Sequence, residues 1–143
     1  MHELLINKLH RYISENNPDL LIALEEKNET TFYLNNKIKS IDNLIAELTQ
    51  DNKPEYIIEE ACMDVLTKEL RPGKYNYIKN ILEEEFEYAF YNFQKSGVLL
   101  YEIINIISYS KDVFEAFDFT EENENNRLLR YAVTGLINDY LSK

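Results

Sequence analysis

Apolar residues recur every three or four positions along most of the chain, and this spacing places side chains on one face of an α-helix. The first such stripe covers about residues 3–15 and contains Leu5 and Leu9. It stops before Pro18, because a proline disfavours helical geometry in the residue that precedes it. The pattern therefore predicts a first helix that ends near Asn17.

Similar stripes predict five further helices, separated by polar or helix-breaking residues. They cover, in order, residues 20–48 with a break near Asn28, then 54–70, 74–93, 97–109 and the region after the polar stretch 118–126. Pro72-Gly73 and Ser96-Gly97 interrupt the pattern, since proline and glycine both disfavour helix interiors. Segment 97–109 is apolar on nearly all sides, which predicts a central helix. No internal repeat is apparent.

Polar residues before two of these helices are expected to cap them. A side-chain oxygen at the N-cap accepts hydrogen bonds from the free N–H groups of the first turn. Asp51 or Asn52 is placed to do this for helix 54–70, and Thr120 or Asn123 for the last helix.

The composition is that of a folded helical domain. Of the 143 residues, 45% are hydrophobic, which is too many for a disordered chain. Three glycines and three prolines are too few for the turns of an all-β protein. The sequence therefore predicts an all-α bundle of about six helices that forms a single domain over residues 1–143.

The charge argues against some classes of partner. Fifteen basic and 26 acidic residues give a formal net charge of −11. Nucleic-acid phosphates and anionic membrane surfaces repel such a protein, so we expect no direct binding to nucleic acid or to membranes. A basic protein partner would instead be attracted.

Three features predict a cytoplasmic location. The first ten residues lack the basic start and the apolar run of a secretory signal. The most apolar segment, 97–109, is far shorter than the roughly 20 residues that span a bilayer. The single cysteine, Cys62, excludes an intrachain disulfide and fits a reducing compartment.

Glutamates and aromatic rings are mixed in the sequence EEEFEYAFYNF at residues 83–93, which indicates either an acidic site or a helix with an apolar face. On a continuous helix the rings extend the apolar stripe that precedes them, so they belong to the core. Most of the glutamates then face water, but Glu85 lies beside Phe86. We expect Glu85 to be a partly buried structural residue that pairs with Arg71, Lys79 or a tyrosine hydroxyl.

No catalytic, cofactor-binding or metal-binding residues are predicted. A di-metal site in a helical bundle needs Glu-x-x-His pairs on two helices, whereas His2 and His10 both fall on the first helix without such pairs. Cys62 and His10 form the one available cysteine–histidine pair, but Cys62 lies on an apolar face, where thiols are usually inert. Residues 71–74, RPGK, contain one glycine and no following Ser or Thr, which predicts a turn rather than a phosphate-binding loop.

An acidic stretch at residues 112–126 contains six acidic residues and no basic one, interleaved with three phenylalanines. Two interpretations are open: a docking surface for a basic partner, or a loop that its rings fold back onto the protein's own core. The residues on which the docking hypothesis rests are Phe117, Asp118, Glu121, Glu122 and Glu124.

Three segments resemble a family of small bacterial helical proteins. They are NPDL at 17–20, IIEEACMDVLTKEL at 57–70 and KYNYIKNILEEEF at 74–86. The family is known as domain of unknown function number eighteen ninety-six and is typical of Bacteroidetes. The residues that match its motifs are Pro18, Leu20, Leu70, Lys74, Tyr75, Ile81, Leu82, Glu85 and Phe86. The positions that depart from them are Asn17, Asp19, Glu69 and Gly73.

This resemblance implies an all-α fold and brings no accepted activity, catalytic residue or cofactor. It also singles out Tyr75 and Glu85 as structural polar positions. We therefore expect a non-enzymatic interaction or regulatory module with an acidic surface. Two alternatives stay open: a carboxylate-based hydrolase or transferase centred near Glu85, and an acidic mimic of nucleic acid that occupies a DNA-binding protein.

Overall fold

Short helices separated by sharp breaks build the chain. A computed structural model describes residues 1–143 and contains α-helices, one short 3-10 helix and no strands, which confirms the all-α prediction. The helices are shorter and more numerous than the six or so predicted. Isolated helices under about 12–15 residues are marginal in water, so most of these depend on packing against their neighbours.

The chain divides into two compact units, residues 1–71 and 72–143. The first unit contains α1 (His2–Asn16), α2 (Pro18–Glu26), α3 (Thr30–Lys39), α4 (Asp42–Gln50), α5 (Glu55–Thr67) and the 3-10 helix Lys68–Leu70. The second unit contains α6 (Lys74–Glu85), α7 (Glu87–Lys95), α8 (Leu99–Tyr109), α9 (Lys111–Phe117) and α10 (Arg127–Leu141). The expectation of a single domain over the whole chain stays a prediction.

The core of the first unit is built around α1, which packs against α2, α3 and α5. Its buried residues are Leu5, Leu9, Ile13, Leu34, Ile38, Ile41, Ile58, Cys62 and Leu66. Fully burying a side chain of this size stabilises a protein by roughly 1.5–3 kcal/mol relative to leaving it exposed. The stripe of α1 is therefore the main contact surface of this unit, as its spacing predicts.

The core of the second unit is built around α6, which packs against α7, α8 and α10. Its buried residues are Ile78, Ile81, Leu82, Ile103, Ile106, Phe114, Leu129, Val133 and Ile137. Phe86 and Phe90 are partly buried and pack against this cluster. These two rings therefore belong to the core, as the apolar stripe predicts.

Two predicted helices are interrupted where their apolar pattern continues. Segment 20–48 becomes α2, α3 and α4, with a break at Asn28, as predicted, and another at Ile41. Segment 74–93 breaks at Phe86, whose φ of −136° and ψ of 53° lie outside helical geometry. The spacing of apolar residues is kept across the breaks at Ile41 and Phe86, so periodicity alone does not reveal these two.

The start of α5 also differs from the prediction. Its N-cap is Pro54, in extended geometry with φ −61° and ψ 151°, and no side chain caps the helix. Proline is tolerated there because the first N–H groups of a helix have no partner within it. The prediction that Asp51 or Asn52 caps this helix is wrong, and Asn52 instead adopts a left-handed φ of 57°.

The two units follow the same backbone plan, with five helices in the same order. The first helix of each ends at a residue of nearly identical geometry: Asn17 has φ −134° and ψ 52°, and Phe86, 69 positions later, has φ −136° and ψ 53°. In both cases that residue is at once the C-cap of one helix and the N-cap of the next.

The second break is also shared. Asn28 and Gly97, again 69 positions apart, have left-handed φ values of 55° and 74°. The N–H of Asn28 donates to Glu25 O at 3.1 Å, and that of Gly97 donates to Gln94 O at 3.1 Å. The next residue in each unit donates to a carbonyl five positions back, at 2.9 Å in the first unit and 3.0 Å in the second. The two turns therefore have the same hydrogen-bond pattern.

The correspondence extends over the remaining helices. Buried Ile41 and Ser110, also 69 positions apart, are the N-caps of α4 and α9, with φ and ψ of −109°, 8° and −98°, 7°. The last helix of each unit buries three side chains at a spacing of four: Ile58, Cys62 and Leu66 in α5, and Leu129, Val133 and Ile137 in α10. The sequence shows no repeat because the paired side chains differ, as Ile41 and Ser110 do, while the backbone plan is kept.

The left-handed turn before α8 generates the first testable prediction. Gly97→Ala should destabilise the protein by about 1–2 kcal/mol, because a Cβ is unfavourable at a φ of +74° even though no heavy atom lies within 4 Å of it. Gly135→Ala is the matched control, since Gly135 is exposed inside α10 and an added Cβ there also has open space. Alanine should stabilise that helix by up to about 1 kcal/mol. Chemical denaturation measures both, and equal effects at the two sites would contradict the left-handed geometry of Gly97.

Candidate functional site

The three phenylalanines of the acidic stretch support the interpretation in which its rings fold back onto the protein's own core. Phe114 is buried, and Phe117 and Phe119 are half-buried and pack against the core of the second unit. The ring of Phe119 lies 4.9 Å from that of Phe114 and 5.0 Å, nearly edge-on, from that of Tyr77. Such pairs contribute about 0.5–1.5 kcal/mol beyond the area that they bury. Phe117 and its neighbours therefore contribute to the fold of the protein itself.

Asn123 organises the loop between α9 and α10. Its side-chain amide donates to the carbonyl oxygens of Phe117 at 2.5 Å and Asp118 at 2.6 Å, and its Oδ1 accepts from the N–H of Thr120 at 2.7 Å. Asp118 turns the chain with a left-handed φ of 51°. These bonds hold the loop in one conformation against the end of α9.

The N-cap of α10 differs from the prediction. Asn126 is the N-cap, and its Oδ1 accepts from the N–H groups of Leu128 at 2.8 Å and Leu129 at 3.1 Å. The prediction that Thr120 or Asn123 caps this helix is wrong, because Asn126 takes the N-cap position and Asn123 instead bonds within the loop.

The acidic side chains lie on the outside of this loop. Asp118, Glu121 and Glu122 are exposed and Glu124 is half-buried, while the rings of the same stretch turn inward. No basic residue interrupts the stretch from 112 to 126. The loop therefore presents carboxylates of one sign on a backbone that Asn123 holds in place.

Glu85 is exposed, so the expectation that it is partly buried is wrong. Its carboxylate lies 3.6 Å from the Arg130 guanidinium, which donates to Glu84 at 2.7 Å and to Asn80 at 3.3 Å. The expectation placed Glu85 beside the core because it assumed that one helix continues through Phe86. In the structure α6 ends at Glu85. Ion pairs with this exposure are worth about 0–1 kcal/mol, which fits a surface contact.

Tyr75 packs against a core, and Arg71 bonds to the end of a helix. Tyr75 is half-buried against the core of the second unit, and burial raises the pKa of its hydroxyl. Arg71 donates to the carbonyl oxygens of Asp64 at 3.2 Å and Thr67 at 3.4 Å near the end of α5, and to the Asp64 carboxylate at 3.1 Å. A cation at a helix C-terminus is favourable there, because the free carbonyl groups carry partial negative charge.

The remaining candidates are the single cysteine, the potential metal ligands and the most apolar helices. Cys62 is fully buried in the first core, and burial raises the pKa of its thiol, which disfavours the reactive thiolate. No group of three or more His, Cys, Asp or Glu side chains is placed to hold a metal ion. No helix is both long enough and apolar enough to cross a membrane.

A groove of about 640 Å³ lies between α7, α8 and α10, and the sequence pattern does not predict it. Tyr88 and Phe93 line it from α7, Glu102 from α8, and Tyr140 from α10. Phe93 was expected in the core, but the break at Phe86 changes the direction of the helix that carries it.

The helix α8, predicted to be central, instead has one buried and one exposed face. Ile103 and Ile106 are buried, whereas Leu100 is 45% and Tyr101 66% exposed. On α7, Tyr88 is 81% exposed. Aromatic and apolar side chains therefore lie on the surface of α7 and α8, two of the three helices that border the groove.

A hydrogen bond joins two of the side chains that line the groove. The hydroxyl of Tyr140 donates to the Glu102 carboxylate at 2.6 Å. Burial and this hydrogen bond raise the pKa of the Tyr140 hydroxyl. The Tyr140 ring meets that of Tyr109 edge-on at 5.6 Å, and the Tyr109 hydroxyl donates to Asp139. Glu102 is thus oriented by a phenol and is the acidic side chain of the groove, whose lining also contains Lys143.

Comparison of the chain with protein-family models, with curated proteins and with solved structures finds no match. The resemblance to domain of unknown function number eighteen ninety-six stays a prediction.

The role of Asn123 can be tested by truncation. Asn123→Ala removes three hydrogen bonds and leaves their backbone partners without them, which should cost about 1–3 kcal/mol. Asn125→Ala is the matched control, because Asn125 is an exposed residue of the same loop, and it should stay within about 0.5 kcal/mol. Denaturation curves that shift equally for both variants would show that Asn123 does not hold the loop.

Proposed function

We propose that this protein is a non-enzymatic interaction module that binds a basic protein partner. The observation that carries the proposal is the loop between α9 and α10, which exposes Asp118, Glu121 and Glu122 while Phe117 and Phe119 pack inward. A loop with this arrangement presents negative charge without needing to reorganise. Binding then loses little conformational entropy in the loop, which favours affinity.

Long-range attraction is the main contribution of the loop. A surface of one sign raises the rate at which an oppositely charged protein arrives, and salt weakens the effect. The net charge of −11 acts in the same direction. Because Phe117 packs against the protein's own core, we assign the docking role in this loop to Asp118, Glu121, Glu122 and Glu124 and leave that ring out of it.

The alternative of a carboxylate enzyme near Glu85 has weaker support. Glu84 and Glu85 share the guanidinium of Arg130 on the surface. A general acid or base instead needs a cleft in which polar groups converge on the substrate. The interaction module is therefore the better-supported function.

The proposal can be tested with partners captured from the native cell. Changing Asp118, Glu121, Glu122 and Glu124 together to their amides should slow association with a basic partner and flatten its dependence on salt, with a smaller effect on dissociation. The matched control neutralises four exposed acids of the first unit, Glu25, Glu26, Glu47 and Asp51, and thus changes the net charge equally. Stopped-flow kinetics across a range of ionic strengths compare the two variants.

Two outcomes count against the loop. Equal slowing by both variants would mean that net charge alone steers the partner. An association rate that the loop variant leaves unchanged would remove the loop as the docking surface.

A further inference from the structure

The groove between α7, α8 and α10 has the composition of a cation site. Three aromatic side chains line it, those of Tyr88, Phe93 and Tyr140, together with the Glu102 carboxylate. Aromatic faces attract ammonium and guanidinium groups, and a carboxylate supplies the opposite charge. We propose that this groove receives a lysine or arginine side chain of the partner. The inference rests on the proposed function and names the contact site that the acidic loop itself does not supply.

A cation already lies against an aromatic ring beside this groove. The ammonium nitrogen of Lys143 is 4.5 Å from the centre of the Tyr109 ring, and Lys143 also lines the groove. Tyr109 in turn meets Tyr140 edge-on. The rings at this end of α10 are therefore arranged so that a basic side chain can approach them.

The charge of Glu102 selects the kind of occupant. Its carboxylate accepts a hydrogen bond from Tyr140, which orients it without neutralising it. An acidic side chain of a partner would be repelled by this half-buried carboxylate, whereas a basic one is attracted to it. A basic side chain satisfies both the carboxylate and the rings, in agreement with the acidic character of the whole chain.

The first unit serves as an internal comparison. At the corresponding positions, 69 residues earlier, it has Asp19 in place of Tyr88, Leu24 in place of Phe93 and Tyr33 in place of Glu102. The same backbone plan thus forms with a carboxylate at the position of the Tyr88 ring and a tyrosine at the position of the Glu102 carboxylate. Stability of the plan does not require these side chains, which favours a binding role for them in the second unit.

The groove can be tested by nuclear magnetic resonance titration of the full chain, labelled with nitrogen-15. The probes are Nα-acetyl-arginine amide and Nα-acetyl-lysine amide, and Nα-acetyl-norleucine amide is the uncharged control of similar length. We expect the two basic probes to shift backbone amide signals of α7, α8 and the end of α10, and the norleucine probe to leave them in place.

Two variants connect these shifts to the proposed residues. Tyr88→Ala should weaken binding of the arginine probe about two- to fivefold, the factor that an exposed cation–π contact supplies, and Glu102→Gln by a similar factor. The control is Tyr56→Ala, because Tyr56 is a 68% exposed tyrosine of α5 outside the groove, and it should leave binding unchanged. Since Tyr88 is 81% exposed, its removal should not unfold the chain. Amide signals far from α7 that keep their positions in the spectrum of the Tyr88→Ala variant verify this.

The outcomes separate this inference from the proposed function. Equal shifts with norleucine, shifts scattered over the surface, or no effect of Tyr88→Ala and Glu102→Gln would overturn the groove as a cation site. The proposed function would survive that result if association with the partner still depended on salt and on the loop acids. Groove shifts as expected, together with a partner whose association ignores the loop acids, would instead reject the steering role of the loop.

Discussion

Burial of apolar stripes between short helices is the interaction on which the rest of this structure depends. In the second unit, α7 and α9 have nine and seven residues, too few to form stable helices alone. They persist because Phe90 of α7 and Phe114 of α9 pack into the core that surrounds Ile78, Ile81 and Leu82 of α6. The acidic loop and the aromatic groove are attached to this core. Their geometry is therefore a consequence of packing among residues outside the loop and the groove.

The break at Phe86 determines the positions of two groups of side chains. It ends α6 at Glu85, which leaves that carboxylate on the surface beside Arg130. It also starts α7 in a new direction, so that Phe90 reaches the core while Phe93 lines the groove. The direction that α7 takes after this non-helical residue thus decides which of its rings reaches the core and which lines the groove.

Periodicity predicts much of this fold, because burial of one helix face is a local property of the sequence. The buried positions Leu5, Leu9 and Ile78 follow from spacing, and the break before α8 follows from Gly97, where a left-handed turn favours glycine. The break at Phe86 does not follow, since no glycine or proline marks it and the apolar spacing continues through it.

The candidate sites are predictable to different degrees. Composition indicates the acidic loop and leaves two interpretations, and the packing of Phe114 and Phe119 around Tyr77 accounts for the inward rings. The groove depends on how three separate helices meet, with Glu102 and Tyr140 brought together across 38 positions of sequence. No local pattern contains that information.

A backbone plan that occurs twice in one chain allows its copies to change separately. Selection for folding acts on the shared breaks and buried faces, such as the turns at Asn28 and Gly97, in both units. Selection for a binding surface needs to act on only one of them. Asp19 and Tyr88 differ at corresponding positions, as expected if selection for a binding surface acted on the second unit alone. Comparing paired positions therefore separates residues that maintain the architecture from residues free to acquire specificity.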